Sequence, residues 1–481
     1  MIRSVCAVLA LTWTQAAVQA QCPEQLSRPR TGATATGVSG RLLVAGGTGT
    51  APTVDIYDVA SGNWSSASLS LARSNLSAAS LGTQAFFAGG TVPSGSFQAV
   101  HSDRVDIYDA STGLWSTATL SERRSSIAAQ QVGNQLVFAG GWSSPAPPAQ
   151  GTATVDIYDT TSGWSTATLS VPRVNIASTT VGSLALFAGG SDLYSTSNAV
   201  DIYDSASGTW TTATLLRARS NLAAASVGSL AFFAGGMEIA GPSDLIDVYD
   251  ASTGTWRTTR LSQPRFGLSA ATVGPLVLFA GGENVAVSDV VDVYDSRTST
   301  WFVTRLSSPR TRMASAALGD VCVFAAGLEA GAITDTVDVF TSGMPAPFGL
   351  AIGACPCGNP GTFTTGCRNS LGFGATLAGR GCSRLGGTLT LTATGLPPAR
   401  AAVLVEGSVT SVSAFGDGLL FLGPPYRRIR TKTSTAAGEV SFGPGAPSLA
   451  ERAYQVWYRD PSGPCGTNFN LTTGVRLRQG P

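Results

Sequence analysis

"TVDVFTSGMPAP", residues 336–347, stops short of the residue that its own pattern calls for. Six earlier stretches open in the same way and close on a tryptophan: "TVDIYDVASGNW" (53–64), "RVDIYDASTGLW" (104–115), "TVDIYDTTSGW" (154–164), "AVDIYDSASGTW" (199–210), "LIDVYDASTGTW" (245–256) and "VVDVYDSRTSTW" (290–301). The seventh copy keeps Val337, Asp338 and Val339, and no Trp follows. The sequence therefore holds six complete units and one that needs a piece from elsewhere.

Working outward from these stretches, one unit reads "LS-x-PR", a run of small and apolar residues, a turn, "LxxFAGG", a variable segment, "VDIYD", a turn with "SG" or "TG", then Trp and "STATLS". Glycine doublets end at Gly47, Gly90, Gly141, Gly190, Gly236 and Gly282, with a degraded "FAAG" at Gly327. Trp64, Trp115, Trp164, Trp210, Trp256 and Trp301 recur every 45 to 51 residues, and each unit holds four short β-like runs between turn signals. Gly, Ser, Thr and Ala dominate and helical spacing of Leu, Glu and Lys is absent, so the chain reads as all-β.

A glycine doublet after an apolar strand, then a Tyr, then a Trp, repeated at fixed offsets, resembles the kelch repeat over roughly residues 22–343. The resemblance implies a seven-bladed β-propeller, with the first strand of each blade innermost. The physics agrees, because one such sheet cannot bury both faces alone and a ring of sheets buries each against its neighbours. Aligning "CPEQLSRPR" with "WSTATLSVPR" puts Leu26 on Leu169 and Arg30 on Arg173. Residues 21–27 then take the place of an outermost strand with no blade before it, and they are expected to complete the seventh blade and remove two open edges.

The flanking segments set the domain plan. Arg3, the apolar run "VCAVLALTW" and "AVQAQ" read as a secretory signal peptide, residues 1–20, cut after Ala20. Gln21 precedes Cys22 where a lipoprotein signal wants a small residue, and no stretch is long enough for a membrane-spanning helix. The expectation is a monomer that is secreted or at the cell surface. The propeller takes 21–343, "MPAPFGLAIG" makes a linker at 344–353, and 354–481 form a small β-sandwich. Cys355, Cys357, Cys367, Cys382 and Cys465 crowd into that last part and point to two disulfides rather than a metal site. Its text, "CPCGN…GCRNSLGFGA…FGDGL…YQVWYRDP…PCGTNFNLT", resembles C-terminal modules on exported proteins of planctomycete-type bacteria, which implies export or surface attachment.

Net charge is +1 with a single lysine, Lys432, so nothing calls for nucleic acid or an acidic membrane. Galactose-oxidase-like kelch enzymes hold copper with two His and two Tyr. This chain has one histidine, His101, so neither that site nor a Ser-His-Asp triad can be built. No catalytic residue, metal or cofactor is assigned. Mutarotase-like kelch proteins need only a carboxylate and an arginine, and Glu238 and Glu283, which follow glycine doublets, are candidates, as is Asp192. Seven arginines end the "LS-x-PR" motifs: Arg30, Arg73, Arg124, Arg173, Arg219, Arg265 and Arg310. They read either as an anion-binding ring or as partners of the seven "VDIYD" aspartates, Asp55 to Asp338; the equal count favours pairing. Between doublet and "VDIYD" the copies differ, most in the long segments of blades two and three. Phe97, His101, Trp142 and Tyr194 stand there outside the repeat's packing plan and suit a sugar or peptide ligand, although His101 taken singly reads as a surface residue. Two functions follow: a non-catalytic exported protein that binds a protein or glycan, or a carbohydrate-active enzyme of mutarotase or lyase type.

Overall fold

The computed structural model describes residues 24–94, 100–143, 150–192, 195–341, 355–356, 358–359, 366–380, 390–407, 410–422, 424–443 and 452–477. The proposed signal peptide and the whole of the proposed linker lie outside them. The chain divides into a unit spanning Gln21–Ser342 and a second one holding Gly343–Pro481. Every element is a strand and no helix occurs among the described residues.

In the first unit each repeat folds into an antiparallel sheet whose strands follow chain order. The innermost strands are Ala33–Val38, Ser77–Leu81, Ala128–Val132, Ala177–Val181, Ala223–Val227, Ser269–Val273 and Ala314–Leu318. Each touches the next, and the last touches the first, so the sheets close into a ring and the fold is β-propeller-like.

Burial follows the same plan. The second strands, such as Gln84–Ala88 ("QAFFA"), are apolar without alternation because sheets cover both their faces. The outermost strands, such as Thr209–Thr214, are half-buried only at Trp210, which packs towards the preceding sheet, and at Ala213, which packs towards the following one, and they leave their threonines to water. Apolar clusters form between sheets: Phe86 and Ala88 of the second repeat pack with Leu136 and Phe138 of the third. The Phe86 and Tyr158 rings lie 5.1 Å apart across that boundary.

At the first glycine of each doublet the next sheet comes too close for a side chain. A Cβ on Gly89 would lie 2.5 Å from the Arg124 carbonyl oxygen and 2.6 Å from Ile127, and φ there is +65°.

The missing piece of the seventh repeat is present. Glu24–Gln25 pairs antiparallel with Thr336–Thr341, Glu24 opposite Val337 and Gln25 opposite Thr336. The Leu26 N–H donates to the Asp335 carbonyl at 2.8 Å, as Leu69 does to Pro52 at 2.7 Å in a complete repeat. Leu26 then packs with Val44, Ala316, Val323 and Val337 from the first and last sheets.

One sheet departs from the plan. The outer strand of the second repeat, Leu114–Ser125, is 12 residues long and pairs with Trp142–Ser143 from the third repeat, which pairs in turn with Gln150–Gly151. The long segments of repeats two and three are thus partly built as added strands.

In the second unit, sheets form from Thr376–Arg380, Thr390–Thr394 and Val440–Phe442, and from Arg427–Thr433, Ala401–Gly407, Arg452–Arg459 and Phe469–Leu477. A hairpin, Thr410–Phe415 with Gly418–Leu422, packs Leu419 to Leu422 with the Cys355–Cys367 disulfide. Cys465 is disulfide-bonded as well. Cys322 is a free, fully buried thiol, and burial pushes its pKa up. No helix among the described residues is long and apolar enough to cross a membrane.

The ring should depend on the added N-terminal strand for its closure. A protein that begins at residue 28 is expected to melt at lower temperature and to associate through the exposed edge at Thr336–Thr341, as differential scanning calorimetry and light scattering would show. An unchanged melting temperature in a monomeric truncation would contradict the closure.

Candidate functional site

The repeated arginines are the largest fully buried side chains of the protein, each 1 % exposed or less. Each binds the aspartate of its own repeat: Arg30 with Asp55, Arg73 with Asp106, Arg124 with Asp156, Arg173 with Asp201, Arg219 with Asp247, Arg265 with Asp292 and Arg310 with Asp338. The carboxylates are 1–5 % exposed. An anion-binding ring is therefore excluded, because no solvent-borne ligand reaches these guanidinium groups.

The pair lies within one sheet, and two backbone contacts carry it to the neighbour. Asp201 Oδ1 accepts from the Ser170 N–H at 2.8 Å on the segment that crosses from the preceding sheet. The Arg173 carbonyl accepts from the Gly141 N–H of that preceding sheet at 2.9 Å. Arg173 Nη1 also donates to the carbonyls of Gly189 (2.7 Å) and Ala199 (2.6 Å). Burial lowers the Arg173 pKa and the Asp201 charge opposes that shift; a guanidinium so placed stays the charged partner. The same glycine-to-arginine bond recurs around the ring and closes it, Gly327 N–H donating to the Arg30 carbonyl at 3.1 Å.

Two residues beyond each arginine the backbone turns through positive φ: Gly32, Asn75, Ser126, Asn175, Asn221, Gly267 and Arg312, between +52° and +65°. These positions lie one or two residues before the innermost strands, and four of the steps between neighbouring sheets are hydrogen-bonded. Asn75 N–H donates to Gly32 (2.7 Å), Ser126 to Asn75 (2.8 Å), Gly267 to Asn221 (3.1 Å) and Arg312 to Gly267 (2.9 Å). They make a polar collar around one mouth of the central channel, with Asn75, Asn221 and Arg312 exposed. Asparagine serves here because its short amide side chain tolerates αL backbone.

A second circle lies against the collar. The residue after each doublet bridges the residue after the arginine: Thr91 with Ser74, Ser191 with Val174, Met237 with Ser220, Glu283 with Phe266 and Leu328 with Thr311. Trp142 opposite Ser125 holds the same place in the third repeat. Trp142 and Glu283, both half-buried, thus occupy equivalent positions over one mouth. Glu283 Oε1 lies 3.6 Å from Arg312 Nη2, which joins the two circles through a carboxylate–guanidinium pair.

The other sequence candidates separate. Glu238 sits one residue further out, accepts from Ser243 Oγ at 2.7 Å and pairs with Arg217 at 3.6 Å. Asp192 is exposed and accepts from the Ser195 N–H at 2.7 Å. His101 is not a surface residue: it is 7 % exposed with neither ring nitrogen hydrogen-bonded, and burial lowers its pKa. The cause is the length of its strand, Val100–Asp109, which runs past the usual start of "VDIYD" and pairs His101 with Thr91. Phe97 and Tyr194 lie outside the described residues. Beside the second circle, between Gln263–Arg265 and Asn284–Val290, lies a cleft of about 360 Å³. Among the described residues no group of three or more His, Cys, Asp or Glu could hold a metal ion.

No family model matches the chain, and no curated protein matches it. Matching solved chains number 502. One is the structure of YjhT, at 15 % identity and a TM-score of 0.49, covering 58 % of this chain and 99 % of that one.

Removing one partner of a buried ion pair leaves an uncompensated charge, a loss of about 3–5 kcal/mol. Arg173→Ala and Asp201→Ala are each expected to lower stability on that scale, and the double variant to cost far less than their sum. Asp156→Ala, which breaks a different pair, should add to Arg173→Ala without that coupling. Denaturant midpoints of the single and double variants measure it.

Proposed function

We propose that Gln21–Ser342 is a seven-bladed kelch-type propeller of an exported protein, a non-catalytic platform that binds a carbohydrate or protein at the collared mouth. On this reading Gly343–Pro481 is a disulfide-containing sandwich module for surface attachment or routing. The supporting observation is the collar itself: exposed Asn75 and Asn221, with Asn175 and Ser126 beside them, share one mouth with Trp142 and the Glu283–Arg312 pair. Amides and hydroxyls on a backbone fixed by cross-sheet hydrogen bonds present donors and acceptors at little entropic cost, which suits a polyhydroxylated ligand. Trp142 offers an apolar face for a sugar ring or side chain. The buried arginines serve the scaffold, so variation among repeats is concentrated in the two circles and the loops beyond them.

A second reading rests on Glu283 and Arg312. A carboxylate and a guanidinium 3.6 Å apart at a channel mouth are the groups that a mutarotase- or lyase-type reaction would need, one to move a proton and one to stabilise developing negative charge.

A glycan array probed with the full-length protein, with product analysis of each hit, separates the two. Under the binding reading, Asn221→Ala and Arg312→Ala weaken retention of the hit by about tenfold or more, as expected for the loss of about 1.4 kcal/mol, and the glycan is recovered unchanged. Turnover of the glycan that Glu283→Gln abolishes would replace this reading with the enzymatic one. Absence of retention on both glycan and secreted-protein arrays would remove the binding reading.

A further inference from the structure

The second unit contains two buried carboxylates that no described arginine or lysine pairs with. Asp417, in the turn between Thr410–Phe415 and Gly418–Leu422, and Asp460, just after Arg452–Arg459, are each 0 % exposed. One oxygen of each is satisfied. Asp417 Oδ1 accepts from the Thr467 N–H (3.1 Å) and hydroxyl (2.5 Å), and Asp460 Oδ2 from the Ser370 N–H (2.9 Å). Asp417 Oδ2 and Asp460 Oδ1 are buried and have no hydrogen-bond partner.

The two groups converge. A Cβ built on Gly463 would overlap Asp417 Oδ2 and lie 2.9 Å from Asp460 Oδ2, so both carboxylates occupy the space that a side chain at 463 would fill. The ion pairs between described residues lie in the other unit, so no described arginine or lysine pairs with either carboxylate.

Two ionised carboxylates, desolvated and adjacent, repel each other and each carries the cost of buried charge. A cation between them would relieve both costs. We propose that Asp417 and Asp460 hold a calcium ion. Asp417 Oδ2 and the Asp460 carboxylate, which meet beside Gly463, are its carboxylate ligands, and neutral oxygens and water complete the shell. The donors at hand are all hard oxygens. The chain's one histidine is in the other unit and Cys465 is in a disulfide, so a soft or imidazole-seeking metal finds no ligand here. Calcium accepts an irregular shell with few protein ligands, whereas magnesium demands near-octahedral geometry. The ion would tie the turn at Asp417 to the loop after Asp460, which carries Gly463 and the disulfide-bonded Cys465.

The test uses full-length protein freed of metal with EDTA and dialysed. Calcium is titrated by calorimetry and by thermal unfolding at neutral pH. One site with a dissociation constant of about 0.1–1 mM is expected, the range of extracellular calcium modules, together with a saturable rise in the second unit's melting temperature and a weaker response to magnesium. Asp417→Asn and Asp460→Asn remove the repulsion, so each should fold without calcium and lose the calcium response. Should either variant fail to fold, the wild-type titration still decides. No calcium-dependent change up to about 10 mM would overturn the proposal. So would a response that survives in both variants.

Discussion

The ring depends on a buried guanidinium held against a buried carboxylate, repeated in every sheet. Alone, such a pair is weak evidence of stability, since desolvating two charges offsets most of their attraction. Here the pair also fixes backbone. With its side chain anchored to Asp201 and to the Gly189 and Ala199 carbonyls, Arg173 presents its own carbonyl to Gly141 of the sheet before it. Asp201 holds the crossing segment at Ser170. The glycine doublet follows from this, because only a residue without Cβ lets the next sheet come that near. Arginine, doublet and aspartate therefore form one device.

That device separates scaffold from surface. Once the arginine is locked, the residue two positions on is forced into positive φ, and the chain leaves it directly into the innermost strand. Collar residues are thus held by scaffold geometry while their side chains stay free to vary: Gly32, Asn75, Ser126, Asn175, Asn221, Gly267 and Arg312 share one backbone shape and differ in chemistry. A fixed frame with variable side chains is what a recognition surface needs.

Much of this was legible in the sequence. The period gave the sheets, the truncated seventh copy gave the N-terminal strand, and equal numbers of arginines and aspartates favoured pairing over an anion site. Which aspartate each arginine takes was not legible, since Asp156 and Asp201 flank Arg173 alike in sequence and only the crossing register chooses Asp201. The collar was missed because an Asn or Ser after an arginine reads as an ordinary turn; the signal was its recurrence two residues after four of the seven arginines, at Asn75, Ser126, Asn175 and Asn221. His101 was misread because strand extension, not composition, buries it. Asp417 and Asp460 carry no periodic signal, being brought together only by the packing of the turn at Asp417 against the loop after Asp460.

The central claim is that the glycine-to-arginine bonds close one continuous ring, including the junction made by the N-terminal strand. Native-state hydrogen exchange of the second-glycine amides tests it most directly, since amides that open only with the whole unit report its global stability. The account predicts that the Gly327 N–H, which donates to Arg30 across the junction, exchanges as slowly as the Gly190 N–H, which donates to Arg219 within the continuous chain. Exchange at Gly327 faster than at Gly190 by orders of magnitude, with the other glycine amides protected, would show a ring that is open at the junction and contradict the account.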